Sequence, residues 1–229
     1  MSRQPVLAWR RAVEHRALRE AFGLYAPVYD VASVAGEHVR RRAVAALDAR
    51  PGEVVVEVGC GTGLNLPPVS DGVGSAGRVV AVEPSPRMLA RARERMRRHG
   101  RANVAFVRAR AEELRLESCA DAVLLCLVHD VLRSPEAVAR VVDLLRPGGR
   151  VVVAGSKWTS WWAWPVNASA WLLNRPYLGS FESFAEPWRH LGGHLPDLRV
   201  ETLPAYGGAA YVGRGTVSGT GAPSAGQVR

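Results

Sequence analysis

Lysine is nearly missing from this chain, since Lys157 is the single lysine among 229 residues. Arginine therefore supplies almost all of the positive charge behind the formal net charge of +9. The arginines are spread over predicted helical faces among abundant Ala, Val and Gly, a bias more typical of a GC-rich genome than of a phosphate-binding track. We therefore expect a solvated basic surface and no nucleic-acid partner.

Cysteine is also scarce, and no long apolar run occurs. Cys60, Cys119 and Cys126 form no C-x-x-C pair, which argues against a disulfide framework and against a metal site. The apolar residues 6–9 are too few and too close to charge for a signal peptide, and no later run reaches membrane-spanning length. We expect reduced thiols, a soluble protein and a cytoplasmic location.

The length suits a single α/β domain, in which cofactor and substrate share one core. This domain is predicted over residues 1–217, and the Gly-, Ser-, Ala- and Pro-rich residues 218–229 are predicted to form a disordered tail. Composition and pattern divide the domain into a helical cap (1–49), a cofactor-binding core (50–157), an aromatic lid (158–195) and a C-terminal hairpin (196–217).

A glycine-rich turn follows the first predicted strand. Residues 54–58 read Val-Val-Val-Glu-Val, as expected for a buried parallel strand, and Gly59, Gly61 and Gly63 come directly after it. Glycines in such a turn let the backbone approach a ligand closely. A dinucleotide-binding fingerprint has its third glycine three residues after the second, so the spacing here disfavours a nicotinamide cofactor.

An acidic residue ends the second predicted strand. Glu83 follows residues 78–82 and lies about 20 residues beyond the glycines, where Rossmann-like folds place the carboxylate that binds ribose hydroxyls. The order of strand, glycine turn, strand and carboxylate therefore predicts a nucleotide cofactor with a free ribose diol.

Strands and helices alternate along the predicted core. Predicted strands cover residues 53–58, 78–82, 103–107, 120–127 and 150–154, and predicted helices cover residues 87–99 and 134–145. The Pro-Gly-Gly sequence at 147–149 is interpreted as a turn before the fifth strand, and residues 198–203 and 209–217 as an antiparallel hairpin. This alternation predicts an α/β, Rossmann-like, doubly wound and mostly parallel sheet.

With these features placed, the chain resembles the class I S-adenosylmethionine-dependent methyltransferases of small molecules. It is similar in particular to quinone-biosynthesis C-methyltransferases and phospholipid N-methyltransferases. The resemblance implies S-adenosyl-L-methionine as the cofactor and a seven-stranded sheet whose last strand is inserted antiparallel. The motifs that carry it are E-x-G-x-G-x-G from Glu57, the strand end at Glu83, and residues 25–30 (YAPVYD), 61–66 (GTGLNL), 121–130 (DAVLLCLVHD) and 145–149 (LRPGG).

The resemblance also implies which residues contact the cofactor. Glu57 is expected to bind its ammonium group and Glu83 its ribose hydroxyls, while the glycines pack under the methionine and ribose parts. The implied set is Tyr25, Tyr29, Glu57, Gly59, Cys60, Gly61, Gly63, Glu83, Met88, Ala111, Glu112, Cys126 and Leu127.

The adenine end of the implied site departs from the family pattern. The family has an acidic residue in the turn after the third strand, and this chain has Arg110 there. Glu112 and the backbone N–H of Ala111 are the expected substitutes. Met88 is expected near the adenine, although both Met88 and Leu127 also suit a purely structural place in the core.

His129 is the candidate catalytic base, and Asp130 adjoins it. Methyl transfer from a sulfonium is a direct displacement, so alignment in a dry pocket supplies most of the rate. A phenol or carbon acceptor additionally benefits from a base, and histidine suits that task near neutral pH. In the alternative interpretation, His129 caps the following helix or packs under the lid.

Aromatic residues are concentrated between the fifth strand and the hairpin. A wall of them suits a flat or apolar acceptor, and the family commonly builds its substrate lid at this place. Packing against the sheet and contact with a membrane surface are the two alternative interpretations. The residues are Trp158, Trp161, Trp162, Trp164, Trp171, Tyr177, Phe181, Phe184 and Trp188.

The predicted function is S-adenosylmethionine-dependent methylation of a small, apolar or aromatic acceptor such as a quinone, a natural product or a lipid amine. A catalytically weak, cofactor-binding regulatory protein is the alternative. A reductase is disfavoured because no Tyr-x-x-x-Lys pair surrounds Lys157. Nucleic-acid methylation is disfavoured because no N-P-P-Y-like tetrapeptide follows the fourth strand.

Overall fold

A computed structural model describes residues 36–115, 119–174 and 181–218 of the chain. Its strands are β1 (Val54–Val58), β2 (Arg78–Val82), β3 (Val104–Val107), β4 (Ala120–Cys126), β5 (Leu145–Ser156), β6 (Arg199–Leu203) and β7 (Ala210–Thr216). Its helices are α1 (Glu37–Leu47), α2 (Leu66–Val73), α3 (Pro86–His99), α4 (His129–Leu132), α5 (Pro135–Asp143), α6 (Trp164–Asn174) and α7 (Arg189–Gly192). Short 3₁₀ turns occupy Ala111–Glu113, Trp161–Ala163 and Ala205–Gly208.

The seven strands form one sheet in the order β3-β2-β1-β4-β5-β7-β6. Strands β1 to β5 pair in parallel, whereas β7 is antiparallel to both of its neighbours, β5 and β6. The predicted Rossmann-like, mostly parallel sheet and its antiparallel C-terminal hairpin are therefore confirmed.

Helices cover both faces of the sheet, because alternate strand residues point to opposite sides. Val55 belongs to the core that includes α1, α2 and α3, and the next residue, Val56, belongs to the core that includes α5 and α7. The chain crosses from one face to the other between β1 and β4, which are neighbours at the centre. The carboxyl ends of these two strands form the switch point at which open α/β sheets bind ligands.

The start of β5 differs from the predicted turn. Residues 147–149 lie within the strand, where the pairing of β4 with β5 shifts register between Ala120 and Ala122. Gly148 takes a left-handed φ of 78°, and its N–H donates to the carbonyl of Val217 at 3.1 Å. The Pro-Gly-Gly sequence thus makes a bulge that stays hydrogen-bonded to Val217, the residue that follows β7, rather than a separate turn.

Arg150 fastens α1 to the sheet. Its buried guanidinium forms two hydrogen bonds to the Glu53 carboxylate, at 2.8 and 2.6 Å, and donates to the carbonyls of Leu47 at 2.6 Å and Asp48 at 2.9 Å. The carbonyls at the C-terminal end of α1 would otherwise lack partners, so this one side chain satisfies the helix end and a partly buried carboxylate together.

Several predicted features lie outside the described residues: Tyr25 and Tyr29, the cap before residue 36, Tyr177, and the tail from residue 219. The division of the chain into cap, core, lid and hairpin stays a prediction. Among the helices that the structure describes, none combines the length and the hydropathy required to cross a bilayer.

Candidate functional site

A pocket opens at the carboxyl ends of β1 and β4, directly above the glycine turn. About 360 Å³ of space free of protein atoms lies within it, counting the part open to solvent. The turn after β1 supplies most of the wall, and α1 and the end of β4 complete it. The lining residues are Arg40, Glu57, Gly59, Cys60, Gly61, Thr62, Leu64, Asn65, Cys126 and Leu127.

Two of the glycines are required by close packing. Gly59 has φ +74°, and a Cβ there would lie 2.4 Å from Cγ1 of Val128. Gly63 has φ +79°, and a Cβ there would lie 3.0 Å from the Cβ of Ala92 on α3. The turn is therefore pressed between α3 and the residues that follow β4, and only glycine fits both the backbone angle and the space.

Glu57 is a buried carboxyl group that faces this pocket. Its Oε1 accepts a hydrogen bond from the side-chain amide of Asn65 at 2.8 Å, and its Oε2 is buried with no hydrogen-bond partner among the described residues. Burial raises the pKa of Glu57 to about 7, and the nearby charge of Glu83 raises it further. A buried acceptor left in this state is suited to a cationic or hydrogen-bond-donating ligand.

Glu83 is held in place by backbone N–H groups. Its Oε1 accepts from Ser85 at 2.8 Å and its Oε2 accepts from Gly61 at 3.1 Å. Burial raises the pKa of this carboxyl group in spite of both hydrogen bonds. Glu83 thus fixes the glycine turn through Gly61, and each of its oxygens retains further acceptor capacity.

Arg40 is a pocket residue that the sequence analysis missed. It is buried on α1, and its Nη2 lies 2.6 Å from Oε2 of the more exposed Glu37. Its position in the sequence could have revealed it, because Arg40 lies on the apolar stripe of α1 with Ala43 and Leu47, which follow three and seven residues later. A basic residue inside an apolar stripe commonly has a specific partner.

The end of β4 supplies a thiol and an unusual backbone. Burial raises the pKa of Cys126 to about 12, with Glu57 adding to the effect, so this thiol stays protonated. Burial likewise raises the pKa of Cys60 on the opposite wall. Leu127 has a left-handed φ of 59°, which is costly for a leucine, while its N–H donates to Ala154 at 2.8 Å. Strain of this kind commonly marks a functional site.

The pocket thus contains a buried carboxyl group, a buried guanidinium and a close-packed glycine turn at the switch point of the sheet. Residues 55–149, which include all of these features except Arg40, match a family model described as a methyltransferase domain. Residues 55–149 thus form a methyltransferase domain.

The methyltransferase domain has curated relatives of the two kinds that its motifs indicate. It is 38% identical over 120 residues to a phosphatidylethanolamine N-methyltransferase of Cereibacter sphaeroides, across 51% of this chain and 57% of that protein. It is 35% identical over 109 residues to the ubiquinone/menaquinone biosynthesis C-methyltransferase UbiE of Vibrio campbellii, across 46% of this chain and 42% of that protein. The matched segments thus span about half the length of these relatives.

The fold of the methyltransferase domain also resembles solved structures. A SAM-dependent methyltransferase from Aquifex aeolicus superimposes with a TM-score of 0.54 at 16% sequence identity, covering 78% of this chain and 89% of that one. The predicted similarity to small-molecule methyltransferases of the quinone and phospholipid types is therefore confirmed at the level of the family.

The residues assigned to adenine lie outside the pocket lining given above. Met88 is buried in the first turn of α3, and Ala111 is buried against the core on the α5 face. Glu112 forms an ion pair with Arg110, with 3.5 Å between Oε2 and Nε. Arg110 therefore pairs with the very carboxylate, that of Glu112, that was expected to take the place of the family's acidic residue. The adenine contacts stay a prediction.

His129 begins α4 in the methyltransferase domain, and Asp130 follows it in the first turn. The ring of His129 is buried, its Nε2 lies 3.1 Å from the carbonyl oxygen of Glu182, and Phe184 packs against it at 5.1 Å between ring centres. Burial lowers the pKa of His129 to about 4, and the charge of Arg133 lowers it further. This geometry favours the alternative in which His129 packs under the lid, and a catalytic role for either residue stays a prediction.

The aromatic segment after β5 divides into two parts. Trp158, Phe181 and Phe184 pack on one another with ring centres 4.9 to 5.4 Å apart and, with His129, form what we call the aromatic cluster. Trp188 packs separately on Tyr211 of β7, at 4.6 Å between ring centres. The remaining described tryptophans of the segment are exposed. Packing on the fold therefore explains only part of the aromatic content.

Proposed function

We propose that this protein transfers a methyl group from S-adenosylmethionine to a small, apolar or aromatic acceptor such as a quinone, a natural product or a lipid amine. Glu57 carries this proposal, because it lines the glycine-rich pocket and its buried Oε2 has no hydrogen-bond partner among the described residues. A cationic ammonium group placed there would give Glu57 the missing interaction and keep it ionised.

The pocket residues have charges that match an amino-acid group. Glu57 would bind the ammonium of the cofactor's methionine part, and Arg40, which lines the same pocket, would bind its carboxylate. Glu83, fixed by Gly61 and Ser85, would accept hydrogen bonds from the ribose hydroxyls. Gly59 and Gly63 would let the backbone lie against the ligand.

When bound, the cofactor supplies an electrophilic methyl group on a sulfonium. The chain's part is then to align the acceptor and to exclude water and competing nucleophiles. Cys60 and Cys126 both line the pocket, and a thiolate at either position would compete for the methyl group. Burial keeps both thiols protonated, since it raises both pKa values, and thereby protects the protein from methylating itself.

An apolar acceptor is supported by the relatives and by the aromatic cluster. The relatives named above are a phosphatidylethanolamine N-methyltransferase and a ubiquinone/menaquinone C-methyltransferase. In this chain, the aromatic cluster includes His129, which lies two residues after Leu127 of the pocket wall. We place the acceptor between this cluster and the pocket. The cytoplasm stays the expected compartment, since the three cysteines are unpaired.

Calorimetric titration with S-adenosylhomocysteine tests the cofactor site. Gly61→Arg is the blocked-site variant, because the space beyond Gly61 is open and the new side chain would enter the pocket. Gly100→Arg is the matched control, since Gly100 also has positive φ and open space but ends α3. We expect saturable binding to the native protein and to Gly100→Arg, and none to Gly61→Arg or with NADH.

A methyl-transfer assay with quinones, phenols and lipid amines as acceptors tests the reaction itself. Turnover that Gly61→Arg abolishes and Gly100→Arg retains would support the proposal. Cofactor binding without turnover on any acceptor would instead favour the regulatory alternative, and absence of binding would overturn both.

A further inference from the structure

The Trp161–Ala163 turn and α6 present several large apolar side chains to solvent. Trp161 is 87% exposed, Trp162 and Trp164 are each 71% exposed, and Trp171 is 40% exposed. Leu172 adds to the same surface at 65%. We call these five residues the tryptophan ridge. Tryptophan is rarely left this exposed in a globular protein, so four exposed tryptophans in one ridge indicate an interaction surface.

The orientation of α6 is the reverse of that of an ordinary surface helix. The buried small residues are Ala170 on α6 and Ala163, which directly precedes the helix, and they are 7% and 8% exposed. The outward face holds Trp164 and Trp171. A surface helix normally buries its large apolar residues and exposes small or polar ones.

Specific contacts hold the ridge in this orientation. The side chain of Asn167 on α6 accepts from the N–H of Thr159 at 2.9 Å and donates to the carbonyl of Thr159 at 3.2 Å. The hydroxyl of Thr159 in turn donates to the carbonyl of Gly207 at 3.2 Å. The outward tryptophans are thus anchored to the chain that connects β6 and β7.

The segment that carries the ridge contains no acidic residue. Residues 158–174 include no charged side chain at all, and Lys157 directly precedes them. The whole chain carries a formal net charge of +9. An acid-free segment on a basic protein is attracted to a negatively charged surface and is not repelled on close approach.

We propose that the tryptophan ridge inserts into the boundary between headgroups and acyl chains of an anionic lipid bilayer. Tryptophan suits this boundary because its ring is apolar and its indole N–H can still reach a polar group. The net positive charge of the chain adds long-range attraction to anionic lipids. Docking of this kind is separate from methyl transfer, and either can fail without the other.

The experiment is co-sedimentation with vesicles of phosphatidylglycerol and phosphatidylcholine, and with vesicles of phosphatidylcholine alone. Trp161→Ser/Trp162→Ser/Trp164→Ser removes the ridge, and Arg97→Ser/Arg98→Ser removes two exposed charges from α3 as a control. We expect the native protein to bind the anionic vesicles and the ridge variant to bind at least about a hundredfold more weakly. The arginine variant should lose no more than about threefold.

Other occupants of the ridge would give different results. Binding of the native protein to neither vesicle, or equal binding by the ridge variant, would overturn the proposal. A dimer seen by light scattering that the ridge variant abolishes would assign the surface to a second copy instead. Tryptophans already shielded from acrylamide in the monomer would assign it to another part of this chain. Retained S-adenosylhomocysteine binding and an unchanged Tm show that the ridge variant is folded.

Discussion

At the scale of single residues, Glu57 combines burial, an amide partner on one oxygen and no described partner on the other. Such a group is unfavourable in the free protein at neutral pH and favourable once a cation is beside it. The cost in the empty pocket and the gain on binding are two effects of one carboxyl group, and each can be measured.

Binding of S-adenosylhomocysteine should depend on pH through Glu57. The free carboxyl group has a pKa of about 7, and only its ionised form attracts an ammonium group. Affinity should therefore rise between pH 6 and pH 8, with release of a proton. Glu57→Gln should bind about tenfold more weakly at pH 8 and show no rise. Calorimetry at several pH values measures both, with Glu136→Gln on the exposed surface of α5 as control. An unchanged pH slope in Glu57→Gln would contradict the assignment.

The stability of the unliganded protein should respond in the opposite direction. The folded pKa of Glu57 is raised, so the native state holds its proton between pH 4.5 and about 7 and loses stability as pH rises through this window. Glu57→Gln should therefore raise the free energy of unfolding at pH 8 by up to about 3 kcal/mol and leave it unchanged at pH 4. Urea denaturation at both pH values measures the difference.

The sequence could locate Glu57, Gly59 and Gly61 at the pocket wall because they belong to one short strand and the turn that ends it. Arg40 could not be placed in the same way. It reaches the pocket only because α1 packs across the sheet, and that packing depends on contacts made far away along the chain. Local patterns identify residues on one turn, whereas tertiary packing decides which distant side chain completes the site.

At the scale of elements, the glycine turn is fixed by its contact with the residues after β4. Gly59→Ala should destabilise the protein by about 2–4 kcal/mol, since its Cβ would lie 2.4 Å from Cγ1 of Val128 at an unfavourable φ. Val128→Ala removes that methyl group, so the double variant should recover part of the loss. Chemical denaturation of the four proteins measures the coupling, and strict additivity would show that the contact is not the cause.

The aromatic cluster should open in acid because of His129. Its folded pKa is about 4, against 6.5 in the unfolded chain, so the stability that the neutral ring contributes is lost as pH falls through that window. After correction for the intrinsic exchange rate at each pH, the amides of residues 182–184 should therefore be less protected at pH 5 than at pH 7. In His129→Gln they should be weakly protected at both pH values, and this variant should raise the acceptor KM with little change in kcat. A large fall in kcat, together with loss of its dependence on pH, would instead support His129 as the catalytic base.

The lid shows what element patterns leave undecided. Aromatic content could be located from the sequence, but a helix such as α6 carries tryptophan and alanine in the same register, and spacing alone does not tell which face is inward. The pattern also left the Pro-Gly-Gly bulge of β5 undetected. A strand can continue through a proline where its pairing with the neighbouring strand shifts register, and this shift is not visible in the sequence.

At the scale of the whole molecule, Arg150 joins elements that are distant along the chain. Arg150→Met should remove the guanidinium from the partly buried Glu53 carboxylate and from the carbonyls at the end of α1, which costs about 3 kcal/mol. For a domain of this size, that corresponds to a fall in Tm of roughly 6–12 °C. Arg140→Met is the control, because its pair with Asp143 is exposed. Calorimetric melting curves make the comparison, and equal shifts would show that the clamp is unimportant.

Contacts between residues that are distant along the chain also affect folding during synthesis. Arg214 on β7 donates to the carbonyl of Ala46 at 3.1 Å, across 168 residues of chain. At ribosomal speeds of about 5–20 residues per second, α1 waits roughly 10–30 s before this partner is synthesised. The part of α1 that packs on β7 stays uncovered on the nascent chain throughout that interval. Newly made protein of this kind should therefore depend on chaperones that bind at the ribosome, whereas refolding of the finished chain should depend on them less.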